Sequence, residues 1–181
     1  GPNGSGKSTL INIMVGLIKP DNGTVLSDNI NIVSDRDEYY SKIGYMPQYP
    51  QFYNNYTVLQ FLEYMSLIKG LKEEFYKKQI DELIKDVNLV DKRDVKIRNL
   101  SGGMKQRLGI ATALIGNPEL VILDEPTAGI DPIERRRFAG LIKKKANDRI
   151  VIIATHMISE VNIPEANFIF LKKGHLVNTG N

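Results

Sequence analysis

The opening run Gly1-Pro2-Asn3-Gly4-Ser5-Gly6-Lys7-Ser8-Thr9 constrains this chain more than any later segment. It matches G-x-x-x-x-G-K-[ST], a phosphate loop that leads straight into a helix. The glycines let the backbone curl so that several N–H groups point at one phosphate. The adjoining helix aims its positive end at the same place. Lys7 can then reach the β- and γ-phosphates of a nucleotide, and the Ser8 hydroxyl can ligate Mg²⁺. A loop of this kind hangs from a buried strand. Gly1 is already its first glycine and no Met precedes it, so the chain reads as a piece whose first strands are missing.

Beyond the loop the patterning alternates helix and strand. Lys7–Ile18 has a helical stripe of Leu10, Ile13, Met14, Leu17 and Ile18, stopped by Pro20 and Asp21-Asn22-Gly23. Thr24–Val33 reads as short antiparallel strands turning at Asp28-Asn29, and Lys42–Met46 as a short strand. Residues 49–100 differ: they are rich in tyrosine and hold two amphipathic helices. The first is opened by a Thr57/Gln60 capping box, runs to Lys69 and has Phe61, Leu62, Met65 and Ile68 on one face. The second spans Glu73–Val87, with Phe75, Ile80, Leu83, Ile84 and Val87.

The core pattern then returns. Gly102–Gly116 is helical, Leu120–Leu123 is an all-apolar strand of the kind buried on both faces, and Ile133–Ala146 is a helix with Asp131 at its N-cap. Ile150–Thr155 reads as a second buried strand, Met157–Val161 as a short helix, and Phe168–Leu171 with His175–Asn178 as a terminal hairpin. Together these give a single α/β domain over 1–181: a parallel-sheet core, antiparallel β remnants, and a helical insert over about 49–100.

Composition bounds the chemistry. The chain of 181 residues has no cysteine, which excludes disulfides, thiolate metal sites and a catalytic thiol. A net charge of +3 is too mild to argue for nucleic acid, so the runs Arg135–Arg137 and Lys143–Lys145 read as a solvated helix face. No apolar run approaches the ~20 residues that span a bilayer. Any membrane crossing belongs to another segment or another chain.

Two further elements carry chemistry. The strand Leu120–Leu123 runs into Asp124 and Glu125 at its C-terminal end, where α/β sheets place their ligands. Asp124 can hold Mg²⁺ through water, and Glu125 can take a proton from an attacking water. With the phosphate loop, these define a P-loop NTPase. Leu100-Ser101-Gly102-Gly103-Met104-Lys105-Gln106-Arg107 starts another helix with a serine cap and two glycines. That is a second anion-ready helix start, and equally a simple capped helix.

Leu-Ser-Gly-Gly with Gln106, shortly before Leu-Asp-Glu-Pro-Thr, resembles the signature of ATP-binding-cassette (ABC) ATPases, and the motifs stand in that family's order along essentially the whole chain. The resemblance implies an ATPase that uses ATP and Mg²⁺. It implies a head-to-tail dimer with a second ABC ATPase subunit, in which Ser101 and Gly103 of one subunit, with Gly102 between them, meet the γ-phosphate held by Lys7 of the other. Gln48, after Gly44-Tyr45-Met46-Pro47, matches the glutamine that touches Mg²⁺ and the attacking water. Ala128-Gly129-Ile130-Asp131 matches a loop that crosses the dimer interface, and Asp131 is also explained by helix capping. His156 matches the histidine that contacts the γ-phosphate. His175 matches no motif.

The family's adenine-stacking aromatic lies upstream of the phosphate loop, so the contacts expected here are to phosphates and Mg²⁺. The wording of the motifs is most like bacterial exporter cassettes encoded apart from their permease. This implies a cytoplasmic protein, peripheral on the membrane, docked to an integral membrane permease through the tyrosines near Gln51–Tyr56. Those rings can equally fill the insert's own core. The alternatives are a soluble ABC ATPase acting on ribosomes or nucleic acid, and an inert piece.

Overall fold

A computed structural model describes residues 4–156 and 166–180. The expected helix at Met157–Val161 and the loop residues Gly1, Pro2 and Asn3 lie outside them.

The centre is a parallel sheet of β3 (Ile43–Met46), β4 (Leu120–Asp124) and β5 (Ile150–Ala154), in that order. Ile43 pairs with Leu120, and Leu120 with Ile150. All of β4 is buried, and its side chains alternate between two cores. Leu120 and Ile122 join Ile11, Val15, Ile32, Tyr39 and Ile43 on one face. Val121 and Leu123 join a larger cluster with Leu108, Ile110, Leu114 and Phe138 on the other. A strand covered on both faces has no polar side to show, which is why it reads as a continuous apolar run. The expectation of a second fully buried strand is corrected at β5. It pairs only with β4 among the described residues, Ile150 is 62% exposed, and the rest is half-buried.

On the first face lie α1 (Lys7–Met14), the two-residue strands β1 (Leu26–Ser27) and β2 (Ile30–Asn31), and α2 (Arg36–Lys42). Asp28 and Asn29 both have positive φ, 49° and 66°, as a tight hairpin requires. Helix α1 is shorter than the Lys7–Ile18 pattern suggests. Gly16 takes a left-handed conformation just past its end, and Leu17 and Ile18 are exposed. Its buried positions are Ile11 and, at the cap, Val15, rather than the stripe through Leu10. Helix α2 carries one buried residue, Tyr39, whose hydroxyl donates to the Met14 carbonyl at 2.6 Å.

On the second face lie α3 (Val58–Ile68), α4 (Glu73–Asp86), α5 (Gly102–Ala113) and α6 (Pro132–Lys145). The Thr57/Gln60 capping box is formed in both directions. Ile68 and Phe75 face out, while Tyr76 is buried. Polar staples tie α3 and α4 to β3 and to the turn after α5. Lys69 Nζ donates to the Ile43 and Ile115 carbonyls, and Gln79 bridges the Gly116 amide and Asn117. Arg107 caps the Val87 and Asn88 carbonyls and pairs with Glu134 at 3.4 Å. Asp131 caps α6 by accepting from the Ile133 and Glu134 amides. The Glu134 side chain is engaged by Arg107, Arg137 and Asn88. A hairpin of β6 (Phe168–Lys172) and β7 (His175–Gly180) completes the fold.

Candidate functional site

Parallel strands end together, and here their C-terminal edge gathers the titratable groups. Asp124 closes β4 and is 4% exposed; Glu125 comes next at 5%. The ladder continues one step beyond the strand, because the Glu125 amide donates to the Ala154 carbonyl at 2.8 Å. His156 lies two residues past β5, and its Nδ1 comes within 2.9 Å of Glu125 Oε1. Glu125 has φ 48°, a left-handed conformation that costs of order 1–3 kcal/mol for such a residue and persists only where surrounding bonds hold it. Those bonds are the Ala154 carbonyl on its N–H, and the Ala128 amide (3.1 Å) and Gln106 Nε2 (3.0 Å) on its carbonyl.

The phosphate loop comes to the same edge. Gly4 and Gly6 have φ 74° and 99°, and Gly6 is the N-cap of α1. The Ser8 hydroxyl and the Lys7 charge both act on the Asp124 carboxylate. Burial pushes the Asp124 carboxyl above its ordinary value. The Glu125 charge adds to that, while Ser8 and Lys7 oppose it. Asp124 Oδ1 and Ser5 Oγ are buried without a hydrogen-bond partner. The loop is braced from the far side of the chain: the Gly174 amide donates to the Ser5 carbonyl at 3.0 Å. A Cβ on Gly6 would stand 3.3 Å from Gly174 Cα, so the two glycines permit this contact.

The remaining motif residues are distributed differently. Gln48 is half-buried, two residues past β3, at the same sheet edge by register. Ser101 caps α5 by accepting from the Met104 amide. Ser101 and Gly102 are exposed, and open space lies where a Gly102 Cβ would be. No hydrogen bond among the described residues ties Ser101, Gly102 or Gly103 to the phosphate loop. Gly103 lies beside Gly129: a Cβ there would be 3.5 Å from the Gly129 carbonyl. Asp131 is exposed, and its bonds to the Glu134 and Ile133 amides hold its carboxyl below the usual range. Gln106 contacts this machinery through its side-chain amide and Gly174 through its backbone amide, and the sequence motifs gave neither of these contacts.

A glycine-rich phosphate loop set before a helix, beside two carboxylates at the end of a buried parallel strand, defines a P-loop nucleotide-binding domain of the NTPase class. The sequence profile described as ABC transporter matches residues 1–128. The chain belongs to that family.

Among its relatives, ABC transporter A family member 12 of Arabidopsis thaliana is 36% identical over 99% of the chain. ATP-binding cassette sub-family A member 2 of Rattus norvegicus is 34% identical over 100% of it. The chain spans 19% and 7% of those two proteins. Among solved structures, the cassette MJ0796, dimeric in a post-hydrolysis state with ADP and Pi, is 33% identical with a TM-score of 0.88, over 99% of this chain and 82% of that one. An ATP-binding subunit of an ABC transporter is 27% identical with a TM-score of 0.89, over 99% and 75%.

Proposed function

We propose that this domain binds ATP with Mg²⁺ and hydrolyses it to drive a transporter. The observation that carries the reading is the pair of buried carboxylates at the end of β4: Glu125 lies 2.9 Å from His156, and Asp124 is under the influence of Lys7 and Ser8 of the phosphate loop.

Glu125 accepts the proton of a water that attacks the γ-phosphorus in line, and the bond to the β,γ-bridging oxygen breaks to release ADP. His156, held against Glu125, donates to the γ-phosphate. Lys7 and the loop amides of Gly4–Thr9 neutralise the β- and γ-oxygens, and Gln48 orients the water. The orphaned Asp124 Oδ1 and the Ser8 hydroxyl are hard oxygen donors, and among the described residues no cluster of three or more acidic, His or Cys ligands competes with them. That set suits Mg²⁺, which takes one or two protein oxygens and fills the rest with phosphate and water. When bound, Mg²⁺ neutralises charge between the β- and γ-phosphates.

The second half of the site comes from a second ABC ATPase subunit. Its Ser101, Gly102 and Gly103 present free helix-start amides to the γ-phosphate, and its Asp131 loop lines the seam. The open start of α5 supports this, as does the dimer reported for MJ0796.

The transported substance moves outward through a membrane permease that is a separate chain, with this domain on the cytoplasmic face. No helix among the described residues is long and apolar enough to cross a membrane. Exposed Tyr49 and Tyr53, the latter stacked edge-on to Tyr64 at 5.3 Å, supply the docking surface. The test is phosphate release by the full-length protein against its Glu125→Gln variant, with copurification of a membrane-spanning chain. ATP-independent background rates in both would refute the hydrolytic reading, and copurification with ribosomes would refute the transport reading.

A further inference from the structure

Helix α5 does two jobs at once. Its first turn is the exposed helix start at Ser101-Gly102-Gly103, and one turn further in it buries Gln106, a polar side chain only 7% exposed. A buried amide must spend its hydrogen bonds on something. Gln106 Nε2 donates to the Glu125 carbonyl at 3.0 Å, across 19 residues of sequence. That carbonyl belongs to the residue whose left-handed backbone, φ 48°, aims the carboxylate at His156. Two other bonds hold the same residue, from the Ala128 amide and to the Ala154 carbonyl, and both come from neighbouring loop or strand backbone. His156 reaches the Glu125 carboxylate, whereas Gln106 reaches its backbone, and that bond ties α5 to the end of β4.

We infer that Gln106 is a positioning residue for Glu125: its side-chain amide locks the backbone of the general base and ties it to the helix whose N-terminus is the exposed anion site. Any displacement of α5 along its axis, as when its first turn closes on a phosphate, moves the donor relative to the Glu125 carbonyl. The base is therefore set by the position of α5 in its own chain. This rests on the reading that Glu125 is the base.

The variants are Gln106→Met, which keeps length and apolar volume without a donor, and Gln106→Glu, which keeps shape but turns the donor into an acceptor. Each is placed in the full-length protein beside Glu125→Gln. Losing a supporting bond of this kind lowers kcat by roughly 10–100-fold. KM for ATP stays within about twofold, because no phosphate contact is touched. A second readout is independent of turnover. The NMR ring resonance of His156, assigned by its loss in a His156→Gln control of the same full-length protein, shifts in both variants as the Glu125 carboxylate relaxes.

A wild-type kcat with an unmoved His156 resonance in either folded variant overturns the inference, as does a matched loss of kcat and rise in KM with a lowered melting temperature. If Glu125→Gln itself hydrolyses at the wild-type rate, the base assignment fails instead, and the His156 resonance still decides whether Gln106 positions Glu125.

Discussion

His156 Nδ1 lies 2.9 Å from Glu125 Oε1, linking the ends of two adjacent parallel strands. Glu125 is 5% exposed, while the His156 side chain is 45% exposed. The contact orients the carboxylate and leaves its second oxygen for a water. Replacing Glu125 by Gln keeps the shape and removes the proposed base. Turnover is expected to fall roughly 10²–10⁴-fold while ATP binding is spared, so that an ATP-bound dimer accumulates on size exclusion. His156→Ala is expected to lower kcat as well, through loss of both the orienting contact and the phosphate donor. Near-normal hydrolysis by Glu125→Gln would remove that residue from the role.

Asp124 gives a prediction with a defined sign. Burial raises its carboxyl above the ordinary value of 3.8 more than Ser8 and Lys7 lower it. The folded state therefore binds a proton that the unfolded state has released, and the nucleotide-free protein loses stability as pH rises above about 3.8 and through the folded-state value. Asp124→Asn removes that cost. It is expected to melt higher than wild type at pH 7 without Mg²⁺ or nucleotide, with the gap closing toward acid pH. The same variant binds Mg²⁺–ATP more weakly. A lower melting temperature at every pH would show that the carboxylate stabilises the free fold.

The features legible in the chain are those decided locally. Strand β4 announces itself because both faces are covered, and Thr57 and Gln60 reveal a helix start because a capping box needs no tertiary partner. Helix α1 is only eight residues long, so its period allowed two stripes, and packing against β4 and β5 chose the one through Ile11. Helix α2 was hidden because its sequence is polar apart from its tyrosines, and only Tyr39 is buried. The motif spacing named Lys7, Ser8, Asp124 and Glu125, and the family resemblance added His156; the fold gathers all five at one sheet edge. Gln106 belongs to the signature run, but its contact was not legible, since its partner is a backbone carbonyl 19 residues along the chain.

Two glycines separate packing from propensity. A Cβ on Gly44 in β3 would fall 1.8 Å from the Ala113 carbonyl oxygen and 2.9 Å from Pro118 Cγ, so α5 can lie this close to the sheet only because position 44 is bare. Backbone cannot step aside as a side chain does, and Gly44→Ala is expected to cost about 3 kcal/mol in a denaturant melt. Gly140, within α6, has nothing within 4 Å of its would-be Cβ. There the gain in helix propensity is unopposed, and Gly140→Ala is expected to stabilise by about 1 kcal/mol. Equal effects of the two substitutions would mean that α5 does not press on β3.

The composite site makes a prediction that no single-chain site shares. Within one chain the start of α5 is open: among the described residues Ser101 is bonded only to its own helix, and empty space lies beside Gly102. Lys7 and Ser101 therefore act on the same ATP only if they come from different subunits. A Lys7→Ala protein lacks the lysine in both sites of its dimer, and a Ser101→Arg protein blocks the helix start in both. In a mixed dimer, both defects fall in one site, and the other receives an intact Lys7 from one chain and an intact Ser101 from its partner. Each variant alone is expected to be nearly inactive, and mixing them is expected to restore hydrolysis in proportion to the share of mixed dimers, measured by differential tagging. Substituting both residues in one chain and mixing it with wild type is the control: there each site of the mixed dimer carries one defect, and no intact site forms. Activity that does not return in demonstrated mixed dimers would mean either that the two residues serve different nucleotides or that both sites must fire together. Titrating a fluorescent ATP analogue distinguishes the two, because only in the second case does the mixed dimer bind one ATP with wild-type affinity.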